Sequence, residues 1–392
     1  MGAETAIPLE IYKGQDFYVP AFLVSVEGKD LSRNVLADVV GVTYSDSLKE
    51  IDSFEMTVNN WDAETLKFKY SDEPTFNPWK DVELRLGYYR NGVDERQRML
   101  IGEITTMSPN FPQAGAPTLT VRALNLFHRF RTQQKTMPFF GKKDSEIAQL
   151  VVDDIAKELR KKSSQLKLKL DVGDNLKHEE PIPYVLLDNQ FPIVFLMQRA
   201  RDLGYELTMN EADAGAKEVT FSFKPTDAVK RKTYVLEWGK SLISFQPTLQ
   251  VANQVAELTV RGWNPKTKKE IKVTVKRSDL KGVVTPSDLA VSEPELSKKI
   301  EIVVDRPVSN EAEARQLALN RLKQIGEVIV EGKGKTIGLP DLRAGVKVQI
   351  KGLGTRFSGT DGAPLVYVVT SSTHSLGAGG YTTDFSARME KL

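Results

Sequence analysis

Short runs of alternating apolar and polar residues are the feature that most restricts how this chain can fold. Six such runs precede residue 130, at 17–26, 36–44, 53–58, 82–89, 99–107 and 118–124. A period of two is typical of β-strands that bury one face. Turn residues separate the runs, and Asn91-Gly92 between the fourth and the fifth predicts a hairpin. Residues 1–135 are therefore predicted to form an antiparallel β-barrel or sandwich.

Helical spacing replaces this alternation between residues 136 and 225. Apolar residues recur every three or four positions at Ile147, Leu150, Val151, Ile155 and Leu159. With Asp144 or Ser145 as the N-cap, this pattern predicts a helix over 145–162. A second helix is predicted from Pro192 to Gly204, and short strands at 166–170 and 205–209. These elements predict a small α/β insert domain at 136–225.

The alternation resumes after residue 232. Strands are predicted at 233–237, 243–248, 256–262 and 270–275, with a tight turn at Asn264-Pro265-Lys266-Thr267. Residues 278–298 combine Ser, Pro, Asp and Gly with little apolar periodicity, which predicts an exposed linker. The segment 226–298 is thus predicted to continue the β-structure and to end in this linker.

The last segment, 299–392, combines one helix with further strands. Ser309 or Asn310 is the predicted N-cap, Glu311 and Glu313 lie in the first turn, and the helix ends near Gly326. Strands are predicted at 300–304, 327–330, 347–351, 365–372 and 381–389. The chain is therefore predicted to be a β-rich α+β protein in which two β-barrel-like domains flank the α/β insert.

Composition argues against several kinds of site. The 392 residues include no cysteine, which excludes disulfides and thiolate metal ligands, and the three histidines are far apart in the sequence. Basic and acidic residues number 54 and 52, so the net charge of +2 indicates no strong attraction for nucleic acid or an anionic membrane. The chain shows no leader and no apolar stretch of about 18 residues, which predicts assembly in the cytoplasm without membrane insertion.

Two motifs that could carry chemistry are better explained as structure. Gly334-Lys335-Thr336 is similar to the end of a phosphate-binding loop, but Ile329 stands where such a loop requires a glycine. A turn between strands is the prediction for this run. His128 and the loop-proximal His374 have no Ser or Cys nucleophile motif nearby, so both are predicted to be structural.

The acidic, basic and aromatic residues do not indicate a catalytic or binding site any more strongly than these two motifs. Asp153 and Asp154 point in different directions from one helix, and Glu179-Glu180 lies in a polar loop, so neither pair predicts a catalytic cleft. The basic run 266–272 is predicted to be a solvated hairpin rim. The four tryptophans are predicted to pack in a core or at a subunit interface: Trp61, Trp79, Trp238 and Trp263. No catalytic, cofactor-binding or metal-binding residue is assigned, and no enzymatic activity is predicted.

Three motifs follow one another in the last third of the chain. They are the helix 311–322, the run 338–348 (Gly-Leu-Pro-Asp-Leu-Arg-Ala-Gly-Val-Lys-Val) and the run 380–385 (Gly-Tyr-Thr-Thr-Asp-Phe). In this order they resemble the motifs of the phage late control D family of tail hub proteins. Runs at 260–265 and 102–104 are similar to the same family, so the resemblance extends over nearly the whole chain. The chain is similar in the same way to the hub part of VgrG-type spike proteins.

The resemblance implies a ring-forming structural protein. It would be a homotrimer whose six barrel-like domains join a threefold spike to a sixfold tail tube and form part of the central channel. The implied partners are a spike on one face, a tail-tube ring on the other, and further baseplate proteins such as wedge proteins and a LysM-like tube-binding protein. DNA or effector cargo would be present only in transit.

The resemblance also implies a location. Because the chain ends soon after its last predicted strand, the spike is expected to be a separate protein. The expected place is the baseplate of a virion tail or of an injection particle, assembled in the bacterial cytoplasm.

One alternative function belongs to a different class. The helix at 145–162 and the preceding Phe139-Phe140-Gly141 resemble a peptidoglycan-binding LysM module. The insert at 136–225 would then bind peptidoglycan, or the chain would degrade it.

Overall fold

A computed structural model describes most of the chain. The described residues are 9–10, 17, 19–90, 93–161, 167–210, 218–229, 231–264, 267–280, 282–289, 299–304, 308, 310–360 and 362–390. Several predicted features lie outside them in whole or in part, among them the Asn91-Gly92 turn, the Pro265-Lys266 turn, the start of a strand at Leu166, part of the linker at 278–298 and the N-cap at Ser309. The prediction of a β-rich α+β fold is confirmed by the elements described below.

Antiparallel strands dominate the described residues of the first part of the chain. In order these are β1 (Pro20–Val26), β2 (Lys29–Asp30), α1 (Arg33–Ala37), β3 (Val39–Ser47), β4 (Ser53–Asn59), β5 (Trp61–Asp62), β6 (Lys67–Phe68), β7 (Asp81–Arg90), β8 (Val93–Asp94), β9 (Gln97–Asn110) and β10 (Thr118–Asn125). The prediction of a strand from residue 36 is wrong at its start. Ser32 accepts the amide of Val35 and caps α1, so the chain stays helical to Ala37.

The insert contains two helices and five strands in its described part. In order these are β11 (Lys135–Lys142), α2 (Asp144–Lys161), β12 (Lys167–Asp171), β13 (Ile182–Gln190), α3 (Pro192–Leu203), β14 (Tyr205–Asn210) and β15 (Glu218–Pro225). Both predicted helices are confirmed. Ile147, Val151 and Ile155 are buried, but Leu150 is 42% exposed, so its assignment to the buried face is wrong. Gly204 ends α3 with a φ of 70°, which few residues other than glycine adopt.

The last part contains the remaining elements. In order these are β16 (Thr233–Glu237), β17 (Leu242–Leu249), β18 (Glu257–Asn264), β19 (Lys269–Lys276), β20 (Ile300–Val303), α4 (Glu311–Glu327), β21 (Val330–Ile337), β22 (Lys347–Lys351), α5 (Thr355–Ser358), β23 (Gly359–Thr360), β24 (Ala363–Pro364), β25 (Val366–Gly377) and β26 (Gly380–Glu390). Asn310 caps α4 by accepting the amide of Glu313 at 2.8 Å. The strand predicted at 327–330 is wrong, because α4 extends to Glu327 and β21 begins only at Val330.

Part of the predicted exposed linker is buried. Val283, Val284 and Leu289 are each less than a tenth exposed, and Val284 and Leu289 belong to the core of the last part. Three apolar side chains without regular spacing form no periodic pattern, so their burial could not be predicted from the sequence. Residues 290–298 of the linker lie outside the described part.

One 14-stranded sheet connects the first and last parts of the chain. Its main order is β17-β21-β26-β25-β3-β4-β10-β9-β7-β1-β2, and β22 pairs with both β16 and β25. The start of β25 pairs with β22, and after a register shift between Val369 and Ser371 its remainder pairs with β3, from Ser371 opposite Ser47 to Gly377 opposite Gly41. We call the strands before β11 the first half and those after β15, except β18 to β20, the second half.

The second half is curled, as the prediction of a barrel-like domain requires. In the second half the order β16-β22-β25-β26-β21-β17 brings together two outer strands that are consecutive in the chain. A single bridge between Trp238 and Leu242 connects those strands. Within the described ranges no ladder of strand pairs closes either half, so the halves are barrel-like but not closed barrels.

Several hydrophobic cores lie under these sheets. Tyr381 of β26 contributes to the core of the first half, so the two halves share buried surface. A separate three-stranded sheet, β19-β18-β20, packs on α4 through a core that combines Leu258 and Val260 with Ala318 and Leu322. The division of the chain into 1–135, 136–225, 226–298 and 299–392 stays a prediction.

Candidate functional site

Buried polar side chains concentrate where β3 pairs with β25. Asp46, Ser372, His374 and Thr383 are each 5% exposed or less, although polar groups are usually excluded from such positions. With Arg343, Tyr44 and Tyr381 they form one continuous group, which we call the junction network. It joins the two halves of the chain.

Arg343 connects the network to the second half. Its Nε donates to Asp46 Oδ2 at 2.5 Å, and its guanidinium also donates to the Tyr44 hydroxyl and lies 4.6 Å from the centre of that ring. The backbone amide of Ala344 donates to the same oxygen of Asp46 at 3.2 Å. The Ser372 hydroxyl donates to Asp46 Oδ1. Both carboxylate oxygens of Asp46 are therefore occupied by donors from the second half.

His374 lies inside this network. Its Nε2 is 3.1 Å from Ser372 Oγ, and its Nδ1 is 2.9 Å from the Tyr381 hydroxyl and 3.1 Å from Thr383 Oγ1. Complete burial lowers the pKa of His374 to about 4, so the ring is neutral near pH 7. The prediction that His374 is near a loop is wrong, because it lies within β25 and is fully buried.

The network contains the residue types of a catalytic triad in the wrong order. A triad requires the histidine between the nucleophile and the acid. Here Ser372 lies between Asp46 and His374, and the second ring nitrogen of His374 faces two hydroxyl groups. All three residues are also buried away from any substrate. This geometry does not activate a serine, and it does hold two strands together.

Asp52 lies beside the network, where the insert begins. Its carboxylate accepts the amide of Ser47 at 3.2 Å and the side-chain amide of Asn125 at 2.9 Å. Asn125 in turn caps the helical turn Leu126–Arg131 that leads into the insert. Burial, and then the nearby charge of Asp46, raise the pKa of Asp52 to about 7. The two halves and the insert therefore meet at a pair of buried carboxyl groups.

His128 belongs to a second, smaller network. Its Nε2 lies 2.6 Å from Glu103 Oε2, and Arg129 donates to the other carboxylate oxygen, Glu103 Oε1. Burial raises the pKa of Glu103, but the hydrogen bonds from His128 and Arg129 outweigh it and leave the pKa below its ordinary value. The Arg129 guanidinium lies 4.9 Å from the ring centre of Trp79. These contacts hold the side chains of Glu103, His128 and Arg129 in fixed orientations.

The acidic pairs are engaged in structural contacts. Asp154 accepts from Lys135, and Asp153 accepts from Gln149 at 2.9 Å. Glu179 accepts from the amide and the hydroxyl of Ser145 at 2.9 and 2.7 Å, and Glu180 is exposed. Within the described part of the chain, no group of three or more His, Cys, Asp or Glu residues is arranged to hold a metal ion.

Gly334-Lys335-Thr336 lies within β21, so the prediction of a turn is wrong. A Cβ atom at Gly334 would lie 2.4 Å from the ring of Phe385 and 3.0 Å from that of Phe245. These two rings stack on each other with their centres 6.0 Å apart. The glycine is therefore required by aromatic packing, a reason that does not involve phosphate.

Three of the four tryptophans are exposed. The exposed fractions are 58% for Trp79, 60% for Trp238 and 59% for Trp263, while Trp61 is half-buried. The prediction of core packing is wrong for the three exposed residues. Packing at a subunit interface stays a prediction for them. In the described residues, no helix is both long enough and apolar enough to cross a membrane.

Two solved structures with a similar fold are tail proteins. The 43 kDa tail protein of prophage MuSo2 from Shewanella oneidensis is 13% identical, with 94% of this chain and 98% of that chain covered and a TM-score of 0.66. A tail protein from Neisseria meningitidis MC58 is 12% identical, with 95% and 97% covered and a TM-score of 0.63.

A third similar structure is an E. coli protein described as a component of the type VI secretion system with structural similarity to the phage T4 tail proteins gp27 and gp5. It is 12% identical, with 93% of this chain and 76% of that chain covered and a TM-score of 0.57. At these identities the similarity establishes the fold. No curated protein sequence matches the chain.

A family model covers most of the sequence. The model described as the Alg8 N-terminal domain matches residues 18–374, a range that includes the first half, the insert and the second half as far as His374. β26, with Tyr381 and Thr383 of the junction network, lies beyond the matched range. The resemblance to the late control D family is not confirmed by this match. The chain has the fold of phage tail proteins, and it belongs to the Alg8 N-terminal domain family.

Proposed function

We propose that this protein is a structural hub in the baseplate of a contractile tail or a related injection system. One observation carries the proposal: a fold found in phage tail proteins contains two β-halves joined edge to edge by β3 and β25. Three such chains arranged in a ring present six similar β-units. That geometry is suited to a junction between threefold and sixfold symmetric parts.

The surface supports assembly. Large apolar side chains are more than half exposed in the first half, the second half and the insert, for example Leu66, Phe140 and Trp238. A cyclic ring uses two different patches on each subunit, and obligate interfaces are more apolar than ordinary surface. The proposed partners are a separate spike protein on one face, a tail-tube ring on the other and further baseplate proteins. Membership of the late control D family belongs to the same proposal.

The proposed role is not enzymatic. The Ser372, His374 and Asp46 side chains are buried and in the wrong order for a triad. The acidic pairs suggested by the sequence make structural contacts. The function of the protein would then reside in its interfaces with other subunits. The protein would be located in a virion tail or an injection particle.

The first test is the mass of the purified chain in solution. Light scattering is expected to give three times the monomer mass of 43.8 kDa, because a hub with exposed apolar patches buries them in a ring. Because association follows mass action, the measurement should cover a range of protein concentrations. Co-expression with the spike and tube proteins encoded by neighbouring genes is expected to yield complexes. A stable monomer that binds neither protein would refute the hub.

A second candidate function, binding to the cell wall, is favoured by an exposed aromatic pair on the insert. Phe140 and Tyr184 lie across the β11–β13 ribbon with ring centres 5.2 Å apart, and they are 68% and 52% exposed. Exposed ring faces can pack against the apolar faces of sugars.

Sedimentation with purified peptidoglycan tests this candidate. If the insert binds the wall, the protein is expected to sediment with it, and Phe140→Ser together with Tyr184→Ser should abolish sedimentation. Phe111→Ser is a matched control, because Phe111 is 58% exposed and lies outside the insert. Absence of sedimentation in the unaltered protein would exclude the candidate. Clearing of a peptidoglycan zymogram would instead indicate an enzyme.

A further inference from the structure

The small sheet β19-β18-β20 has one covered and one open face. Its inner face packs on α4 through Leu258, Val260, Ile271 and Val275, all less than a tenth exposed. Side chains alternate along a strand, so the intervening residues form the opposite face. We call this opposite face the outer face. It carries Arg261, Trp263, Lys272, Ile300, Ile302 and the adjoining Val304, together with Glu257, Thr259, Glu270, Thr274 and Lys276.

The outer face carries an unusual number of exposed apolar side chains. Ile300, Ile302 and Val304 are 57%, 53% and 67% exposed, and Trp263 is 59% exposed. Ile302 and Ile300 are paired in parallel with Thr259 and Glu257, which places the isoleucines and Trp263 on the same side of the sheet. Single exposed apolar residues are ordinary, but a contiguous group of them marks an interaction surface.

Two cations face each other on this surface. Arg261 and Lys272 are directly opposite in the β18–β19 ladder, and both are exposed. Like charges in that position destabilise a strand pair. Four residues along β18, the opposed pair Glu257 and Lys276 has opposite charges and forms an ion pair at 3.4 Å.

In the part of the chain that the structure describes, no ion pair neutralises Arg261 or Lys272. The repulsion between the two cations lowers the stability of the free protein. A negatively charged group that binds between them would offset this repulsion. The charge and the apolar side chains together specify a ligand that is acidic and apolar at once. A protein segment can present both on one face.

We propose that the outer face docks a segment of a partner protein whose carboxylates lie beside apolar side chains. The carboxylates would pair with Arg261 and Lys272, and the apolar side chains would cover Trp263, Ile302 and Val304. Duplex DNA would satisfy the cations but leave the isoleucines and Trp263 uncovered, so it is the weaker fit. The inference goes beyond the hub role and does not depend on the oligomeric state.

A pair of synthetic peptides tests this inference. The probe is the capped, fluorescein-labelled peptide Val-Thr-Glu-Thr-Val-Thr-Glu, which places valine and glutamate on one face of an extended strand. The control peptide has lysine in place of both glutamates. Fluorescence anisotropy with the full chain is expected to show saturable binding of the glutamate peptide and at least about tenfold weaker binding of the lysine peptide.

Charge reversal identifies the binding face. Arg261→Glu with Lys272→Glu is expected to weaken the glutamate peptide at least about tenfold and to strengthen the lysine peptide. That gain also shows that the variant is folded. The matched control is Arg122→Glu with Lys157→Glu, which reverses one exposed arginine and one exposed lysine outside this sheet and should leave both affinities unchanged. Trp263→Ser should weaken the glutamate peptide without changing the preference for its charge.

Four results would overturn the inference. The glutamate peptide could fail to bind, or its preference could survive reversal of Arg261 and Lys272. A labelled DNA duplex could bind through the same two residues more tightly than the peptide. The charge reversal could change the oligomeric mass of the chain, which would mean that a second copy covers the outer face.

Discussion

Replacement of Arg343 by alanine is expected to lower the free energy of unfolding by about 3–5 kcal/mol. The substitution removes the donor on Asp46 Oδ2 and leaves a carboxylate that is only 5% exposed without its cation. It also removes the guanidinium that lies on the Tyr44 ring. Breaking one side of a buried ion pair costs far more than the pair contributes, because the remaining charge stays desolvated.

Urea denaturation measures this loss. The slope of the unfolding free energy against urea should stay constant, because the same surface is exposed on unfolding. Lys335→Ala is the matched control, since Lys335 and Asp384 form an ion pair at 3.3 Å whose side chains are 42% and 49% exposed. That substitution should cost no more than about 1 kcal/mol. Equal losses in the two variants would mean that the junction network does not hold the halves together.

The second large effect concerns pH and His374. The pKa of this ring is lowered to about 4 in the folded protein, while the unfolded chain binds the proton with an ordinary pKa near 6.5. Between these values the unfolded state binds more protons, so stability is lost as the pH falls from about 6.5 to 4. The difference between these two pKa values corresponds to about 3 kcal/mol in the free energy of unfolding. Asp46 and Arg343, which face the ring, act in opposite directions on the pKa.

Asp52 changes the stability of the protein in the opposite direction over an overlapping pH range. Its pKa is raised from 3.8 to about 7 by burial and by Asp46, so the folded state binds more protons between these values. Stability from this group is lost as the pH rises from about 4 to 7. The two contributions offset each other between pH 4 and 6.5. The unaltered protein should therefore show a weaker pH dependence than either group would give alone.

Variants separate the two groups. The stability of the unaltered protein relative to His374→Gln should fall by about 3 kcal/mol between pH 7 and pH 4, because the variant lacks the titrating ring. Asp52→Asn should make the loss of stability toward acid steeper. Urea denaturation at several pH values gives both differences. A stability difference between the unaltered protein and His374→Gln that stays constant between pH 7 and pH 4 would refute the account.

Strands with one buried and one exposed face could be predicted from the sequence. The predicted ranges of β16 and β22 agree with the structure at both ends. β22 buries alternate residues, whereas β16 is a short run whose three central residues are all buried. The ribbon of β11 and β13 was missed. Its outward residues Phe140 and Tyr184 are apolar as well, so no alternation distinguishes its two faces.

Residues whose role depends on a distant contact could not be predicted. Gly334 resembles part of a phosphate-binding loop until β26 places the ring of Phe385 against it. Asp46 looks like an ordinary solvent-facing residue of a strand. Its partner Arg343 is 297 positions away, and only the pairing of β3 with β25 brings the two together.

The sequence by itself determined the class of the fold, the two helices of the insert and the helix that follows the linker. Local periodicity and capping decide such elements, because each depends on neighbours within a few residues. Only the tertiary structure decided that the halves share one sheet, that its junction is a buried polar network, and that two cations oppose each other beside exposed isoleucines. Burial and charge pairing at those places are set by strands far apart in the chain, and no local pattern records which strands will meet.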